Sequence, residues 1–441
     1  MQNRAFVLDK NKQPLMPCPM WRAKELLHRG RAAIYRREPF TIILKDREGG
    51  DTQPIELKLD PGSRTTGIAL VADFPSGKKV LWAAELNHRG QAVHKALDKR
   101  RAIRRGRRVR KLRYRPARFL NRTKPDGWLP PSLLSRVGNA YQWARRLRRW
   151  VPLTAIAVET VRFDMQKIVN PEISGIEYQQ GELSGYELRE YLLEKFHRTC
   201  IYCGAENVPL EIEHLIPKSR GGSNRVSNLA IACRPCNQAK GNQTAVEFGH
   251  PEVQAKAKAP LKDAAAVNAT RYAIGNTLKM LGLPVSFWSG GRTKFNRINQ
   301  HYLKAHWIDA ACVGTSGEQV HLDPEMKILE IKALGRGNRQ QCRMDSFGFP
   351  RSKPKSVKCV QGLQTGDQVR LAMPKGKYAG VHIGRISGVR TTGIVDVKTT
   401  THKIGASVHH CTLLQKFDGY GYSWRRGRLS DTGERPANAM A

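Results

Sequence analysis

The chain has 441 residues, 40% of them hydrophobic, and 76 Lys and Arg stand against 37 Asp and Glu for a formal net charge of +39. That apolar content excludes disorder throughout and allows roughly three domains at about 150 residues each. The charge excess points to a polyanion, most simply a phosphate backbone whose neutralisation releases condensed counterions. No run of about 18 apolar residues and no basic-then-apolar leader occurs, so neither a membrane span nor a signal peptide is expected, and the protein is expected to stay in the cytoplasm.

In chain order, the first segment carries Pro14-Leu15-Met16-Pro17, a helical pattern over residues 21–30 and an extended stretch over residues 40–44. From Ile55 the text runs Ile-Glu-Leu-Lys-Leu-Asp60, a turn at Pro61-Gly62-Ser63, then two further short runs rich in strand formers, which predicts an antiparallel meander opening a sheet. Residues 99–118 hold twelve Lys or Arg, with only Ile103, Val109 and Leu112 as an apolar seam. A helix so charged repels itself unless a polyanion surrounds it. After a Pro/Gly-rich connector at residues 125–131 comes an amphipathic segment to Trp150, then a strand over residues 155–159 that ends on Glu159.

Residues 185–250 are expected to form a compact cysteine-bearing unit inserted into the sheet domain. Residues 264–315 return to helical periodicity, ending in a helix over residues 301–313, and from about residue 320 short strand-like runs alternate with Gly and Lys. The tail beyond Trp424 is polar and expected to be loose.

Of nine cysteines, Cys18, Cys312, Cys342, Cys359 and Cys411 are scattered, whereas Cys200, Cys203, Cys233 and Cys236 form two C-x-x-C pairs. In a reducing compartment that spacing predicts one closed tetrahedral zinc site that stabilises a small fold, rather than a disulfide framework. Between the pairs lies Glu211-Ile-Glu213-His214-Leu-Ile-Pro217, then Gly221-Gly222 and Asn228, with Asn237 and Lys240 just after the last cysteine. A lone His beside a Glu is most often a surface or core pair, but this zinc-flanked order resembles the HNH nuclease pattern. Hydrolysing a phosphodiester needs a base for water, a cation for the leaving oxygen and ligands to hold it. The resemblance implies His214 as base, Glu213 and Asn237 as ligands of one Mg²⁺, Asn228 orienting His214, and Lys240 facing the scissile phosphate.

A second group is spread through the chain. Asp60 and Glu159 end two strands, and His306 and Asp309 share one face of a helix through their i, i+3 spacing. Together they form the pattern of a RuvC-like, ribonuclease H-type site, in which carboxylates hold two Mg²⁺ ions about 4 Å apart. Asp60, Glu159 and Asp309 are the expected ligands, with His306 a ligand or general base.

The combination resembles the IscB family of transposon-encoded nucleases, compact relatives of type II CRISPR effectors. It does so through Pro14-Leu15-Met16-Pro17 with residues 22–27, the Asp60-Pro61-Gly62-Ser63 segment, the arginine-rich helix with Arg113-Tyr114-Arg115 and Phe119, and the inserted HNH unit. Lys58 departs from the pattern, since a small or apolar residue is expected two positions before Asp60, and the region after residue 320 matches only loosely.

The resemblance implies an α/β fold: a RuvC-like mixed sheet, an inserted zinc-containing HNH (ββα-metal) module and a small C-terminal β-rich domain. The expected division is an N-terminal segment (1–54), RuvC-like parts (55–90, 123–180 and 256–318), an arginine-rich bridge helix (91–122), the HNH module (181–255), the C-terminal domain (319–425) and a tail (426–441). It further implies a monomer holding a structured guide RNA through the C-terminal domain and the basic helix, including Arg100, Arg101, Arg104, Arg105, Arg107, Arg108, Arg110, Lys111, Arg113 and Arg115. In that scheme the RNA finds double-stranded DNA by base pairing beside a short flanking motif, HNH cuts the guide-paired strand and the RuvC-like site cuts the displaced one. The alternatives are a protein-only endonuclease of junction-resolvase or homing type, and an inactive RNA-binding protein. The dense basic helix and nested HNH argue against the first, and the intact acidic and histidine set against the second.

Overall fold

The structure is a computed structural model that describes residues 4–109, 128–160, 189–258 except 190, 191, 194, 207, 224 and 225, 262–335, and 342–427 except 343, 344, 348 and 354–357. The chain folds as two compact units, one from residues 1–159 and 273–441 and one from residues 160–272.

The first unit opens with β1 (Arg4–Leu8), β2 (Pro14–Pro19), α1 (Met20–His28), β3 (Ala32–Arg36) and β4 (Thr41–Leu44), which form a four-stranded sheet of order β2-β1-β4-β3. Sequence patterning predicts only the helix and β4 here. The Pro-Leu-Met-Pro element lies in β2, where its prolines are tolerated because β2 is an edge strand and has a free side that needs no N–H donors.

Next come β5 (Ile55–Pro61), β6 (Thr65–Phe74), β7 (Gly77–Asn87), α2 (Gly90–Val109), α3 (Pro131–Trp150) and β8 (Leu153–Glu159). The inserted unit contributes β9 (Leu210–His214), β10 (Leu229–Cys233), α4 (Arg234–Lys240) and α5 (Glu252–Lys258), and α6 (Lys262–Lys279) follows. The first unit resumes with β11 (Val285–Trp288), α7 (Gly290–Asn299), α8 (His306–Ala311) and β12 (Lys327–Ala333). The remaining strands are β13 (Cys359–Val360), β14 (Leu363–Gln364), β15 (Gln368–Met373), β16 (Gly380–Val389), β17 (Ile394–Lys398), β18 (Lys403–Ser407), β19 (Cys411–Gln415) and β20 (Tyr420–Arg426).

Seven strands make the central mixed sheet in the order β11-β8-β5-β6-β7-β12-β20, with the expected antiparallel meander β5-β6-β7 at its middle and β8 parallel to β5. Its inner strands are apolar on both sides because both faces are covered. On one face, Leu57, Leu59, Ile68, Leu70 and Trp82 meet the α3 stripe Val137, Ala140, Trp143, Ala144, Leu147 and Trp150, whose spacing is that of one helical face. Trp82 stacks on Trp143 at 6.4 Å between ring centres, and Trp143 meets Trp150 edge-on at 6.5 Å. On the other face, Ala69, Val71 and Ala83 pack under Trp307 and Ile308 of α8.

The sheet differs from expectation at both edges. β11 falls inside the stretch with helical periodicity; it has four residues and pairs in parallel with β8, too short to leave a period-two signal. The expected helix over residues 301–313 shrinks to α8, since His301 has a positive φ of 55° and interrupts helical backbone. β12 and β20 come from the stretch expected to form the C-terminal domain, yet β12 pairs with β7 and β20 with β12. The separate C-terminal sheet is the five-stranded antiparallel β18-β17-β16-β15-β19, set between β12 and β20 in sequence around a core of Val369, Leu371, Ile386, Val395 and Val397.

Candidate functional sites

Asp60 and Glu159 stand at the C-terminal ends of neighbouring parallel strands, one step beyond the paired residues Leu59 and Val158. His306 and Asp309 arrive from α8, and His306 Nδ1 lies 3.4 Å from Asp60 Oδ2. Two features of the sheet fix α8 there. At Gly67, opposite Asp60 on β6, a β-carbon would lie 1.8 Å from the His306 carbonyl oxygen, so only glycine allows the helix this close. Lys58 is wholly buried and its Nζ donates to the carbonyls of Ala311 at 3.2 Å and Val313 at 2.8 Å, satisfying the C-terminal end of α8. The departure noted at Lys58 thus has a structural reason: a small or apolar residue there would leave these carbonyls without that donor.

The electrostatics of this group are those of crowded carboxylates. Burial, then the charge of Asp60, raises Asp309 to about 6 against the opposing pull of Arg297, Lys304 and His306. Arg297 Nε lies 2.8 Å from Asp309 Oδ1. Burial disfavours the charged His306 imidazole, yet the hydrogen bond and charge of Asp60, with Glu85 and Asp309, lift it above its ordinary value. Asp60 and Asp309 are hard oxygen donors whose mutual repulsion a divalent cation relieves, so this pair suits Mg²⁺, with Glu159 at the end of the strand next to that of Asp60.

Sequence reasoning missed Glu85 and Arg297. In register, Asp60 faces Gly67, Gly67 faces Glu85, and Glu85 faces Glu330, a row across four strands. Arg425 of β20 holds the outer pair, at 2.8 Å from Glu85 and 2.9 Å from Glu330. The available signal was a carboxylate inside an otherwise apolar strand, Val80-Leu-Trp-Ala-Ala-Glu85-Leu.

In the second unit, β9 and β10 pair so that Glu213 faces Ala230 and His214 faces Leu229, and α4 follows β10 directly. The four paired cysteines come together, their sulfur atoms all within 4.8 Å and Cys203 Sγ 3.7 Å from Cys233 Sγ. A tetrahedron with Zn–S bonds of about 2.3 Å has edges of about 3.8 Å, so zinc fits. Burial and the neighbouring thiols push the Cys236 thiol up. Burial also acts on Cys200, but backbone N–H groups of Cys203, Cys233 and Tyr202 outweigh it and leave this thiol at about 7. Four thiolates cannot ionise together without a cation between them.

Around His214 the structure revises two expected roles. Asn228 does not reach the imidazole through its amide bonds: its Oδ1 accepts from Ile216 N at 2.9 Å, and its Nδ2 donates to the carbonyls of Ile216 and Ser223, bracing the loop after His214. Gly222 closes that loop, where a β-carbon would lie 1.8 Å from the Ile216 carbonyl oxygen. Lys240 is buried, with Nζ 2.6 Å from Glu213 Oε1 and 3.0 Å from the His214 carbonyl, so it faces the protein rather than a phosphate. Burial raises the Glu213 carboxyl even so. Asn237 Nδ2 donates to Glu211 Oε2 at 2.9 Å, which brings in a carboxylate that sequence reasoning quoted without a role. Glu211, Glu213 and the Asn237 amide oxygen are donors that suit Mg²⁺.

Of the basic helix, Arg101, Arg104 and Arg105 are exposed on α2 and Arg100 is half-buried. Arg107 and Arg108 lie in the same helix, their side chains outside the described set, and Arg110, Lys111, Arg113 and Arg115 fall outside the described residues altogether, as do Tyr114, Phe119 and residues 428–441 of the tail. No helix among the described residues is long and apolar enough to cross a membrane.

The RRXRR protein family matches residues 5–181 and the HNH endonuclease family matches residues 200–251. Among solved structures, T. thermophilus RuvC in complex with Holliday junction substrate is similar at 11% identity and a TM-score of 0.23, over 60% of this chain and 91% of that one. Streptococcus thermophilus Cas9 in complex with the GGAA PAM is similar at 14% identity and a TM-score of 0.22, over 57% of this chain and 32% of that one. The Type II-C Cas9 from Actinomyces naeslundii is similar at 17% identity and a TM-score of 0.15, over 43% of this chain and 29% of that one. The chain therefore spans about a third of the Cas9 chains it matches. A comparison with curated proteins finds no match.

The module with the four-cysteine cluster matches the HNH endonuclease family, and the mixed sheet of the first unit carries a separate group of acids and a histidine. The RRXRR region followed by the HNH module gives the chain the architecture of the IscB family.

Proposed function

We propose that this protein is an RNA-guided DNA endonuclease with one active centre in each unit. The observation that carries this reading is the coexistence, in one chain, of two acid-and-histidine centres on separately packed units with an arginine-rich helix. A single-site hydrolase has no use for the second centre, and a chain of formal net charge +39 is suited to holding nucleic acid throughout its cycle.

In the first unit Asp60, Glu159 and Asp309 would hold two Mg²⁺ ions, and His306, kept charged to a higher pH than usual by Asp60, serves as ligand or proton carrier. In the second unit His214 takes the proton from water, Glu213 and Asn237 would hold one Mg²⁺, Glu211 fixes the Asn237 amide so that its oxygen points away, and Lys240 positions Glu213. The cations, when bound, supply positive charge to the attacking water and the leaving oxygen. Zinc on Cys200, Cys203, Cys233 and Cys236 holds the second unit together without taking part in the reaction. HNH cuts the guide-paired strand and the RuvC-like site cuts the displaced strand of a duplex carrying a short flanking motif.

The test is to coexpress the chain with the DNA flanking its gene, purify it without nuclease treatment and sequence the RNA retained through a moderate salt wash. A single structured RNA with one variable end is the expected result. Heterogeneous RNA, or none, would move the assignment to a protein-only endonuclease.

A further inference from the structure

Helix α3 turns its apolar stripe to the core and presents a second stripe made of Ser135, Gly138, Asn139, Gln142 and Arg146, at i, i+3, i+4, i+7 and i+11. That stripe forms one wall of a cleft of about 310 Å³, closed on the other side by Arg89, just ahead of α2, and by backbone at Gly335 and Gly419. The volume is at the small end of ligand sites.

Three features mark the cleft as built for a ligand rich in hydrogen-bonding edges and negative charge. Its one carboxylate, Asp418, is already paired with both Arg36 and Arg146, so the cleft keeps a positive balance through Arg89. Tyr420 is held flat on the wall, its hydroxyl donating to Asn139 Oδ1 at 3.0 Å and its ring 4.8 Å beneath the Arg146 guanidinium. Gln142 and Ser135 have no side-chain hydrogen bond to the protein among the described residues, so their polar groups face the cleft unspent. Between them sits Gly138, a glycine in a helix interior, where it costs helix stability, and a β-carbon there would meet nothing within 4 Å. The space above the helix is kept open at the expense of the helix.

We propose that this cleft receives one unstacked nucleotide of the RNA bound along α2, its base edge against Gln142 and Ser135 and its phosphate against Arg89. An amide offers the paired donor and acceptor that a base edge matches, and a guanidinium suits a phosphate. Unpaired bases splayed out of a structured RNA are the form in which proteins read RNA. The inference rests on the guided reading, which supplies the RNA.

The experiment uses the intact ribonucleoprotein as purified. Ultraviolet crosslinking followed by nuclease digestion and peptide mapping should yield a ribonucleotide adduct on a peptide from residues 135–146 or on Tyr420, besides adducts along α2. Gly138→Ala should retain the cleft adduct and Gly138→Phe, which fills the open space without touching the core, should abolish it while the α2 adducts persist. Gln142→Leu, a second variant of similar size, should lower the cleft adduct about tenfold. Adducts along α2 with none in the cleft, or a cleft adduct that survives Gly138→Phe, would overturn the cleft assignment and leave the guided reading standing. A deoxynucleotide in the cleft would overturn the choice of RNA, and a protein that carries no RNA at all would overturn both.

Discussion

Gly67 and His88 show how much of the first site rests on residues that perform no chemistry. Replacing Gly67 with alanine places a β-carbon 1.8 Å from the His306 carbonyl oxygen, a backbone atom that cannot step aside. Gly67→Ala should therefore displace α8, cost about 1–3 kcal/mol in urea denaturation as overpacking does, and abolish cleavage of the displaced strand. His88, the residue after β7, lies 2.8 Å by its Nε2 from Thr66 Oγ1, and burial followed by the charge of Arg136 lowers it to about 3. Its folded value lies below the unfolded one, so the unfolded chain binds the proton first and stability falls as pH drops from about 6.5 toward 3, by up to about 1.4 kcal/mol per pH unit. Denaturation midpoints measured from pH 7 to pH 4 should fall more steeply for the native chain than for His88→Gln; equal slopes would remove His88 from the account. At this scale Asp60, Glu159, His306 and Asp309 were expected as a group, because acids at strand ends and an i, i+3 pair leave local marks, and the structure sets Asp60 beside His306 and within the charge field of Asp309. Glu85, Arg297 and the true partners of Asn228 and Lys240 were not legible, since each depends on cross-strand register or on a tertiary bond that no local pattern encodes.

Among the elements, α8 is the part on which the first site turns. It is six residues long and held by Lys58 beneath its C-terminal carbonyls and by the glycine gap at β6. An ammonium that burial lowers from 10.5 to about 8 carries an unfavourable ~3 kcal/mol, comparable with the 1–3 kcal/mol lost when a buried carbonyl goes without a donor. Lys58→Met should therefore leave overall stability within about 1–2 kcal/mol while loosening α8, so that displaced-strand cleavage falls at least about tenfold and guide-paired-strand cleavage does not change. A loss of both cuts would mean that Lys58 acts on the whole fold. The cysteine cluster makes a separate prediction: one zinc per chain by atomic emission, lost on Cys203→Ser together with cooperative melting of the second unit. Zinc-free protein with unchanged melting would contradict a structural metal. The cysteine spacing and the β5-β6-β7 meander were readable because turn residues and knuckles punctuate the sequence. β11, β12 and β20 were not, being short edge or returning strands whose partners lie far away in the chain.

At the scale of the whole molecule, the sheet begins at Ile55 and receives its last strand at Tyr420–Arg426, with the HNH unit and the C-terminal sheet set into the chain between. Arg425 on that last strand holds Glu85 and Glu330, so the far end of the chain trims the charge beside the first site. Under the proposed function the two acid-and-histidine sets serve one strand each, and the basic excess of +39 suits a chain that holds nucleic acid. The most direct measurement loads the protein with its copurified RNA and supplies Mg²⁺ and a duplex matched to that RNA, each strand carrying its own label. The account predicts that the native chain cuts both strands, Asp60→Ala cuts only the guide-paired strand and His214→Ala only the displaced strand. Either variant cutting both strands, or either one abolishing both cuts while remaining folded and bound to RNA, would contradict the assignment of one centre to each strand.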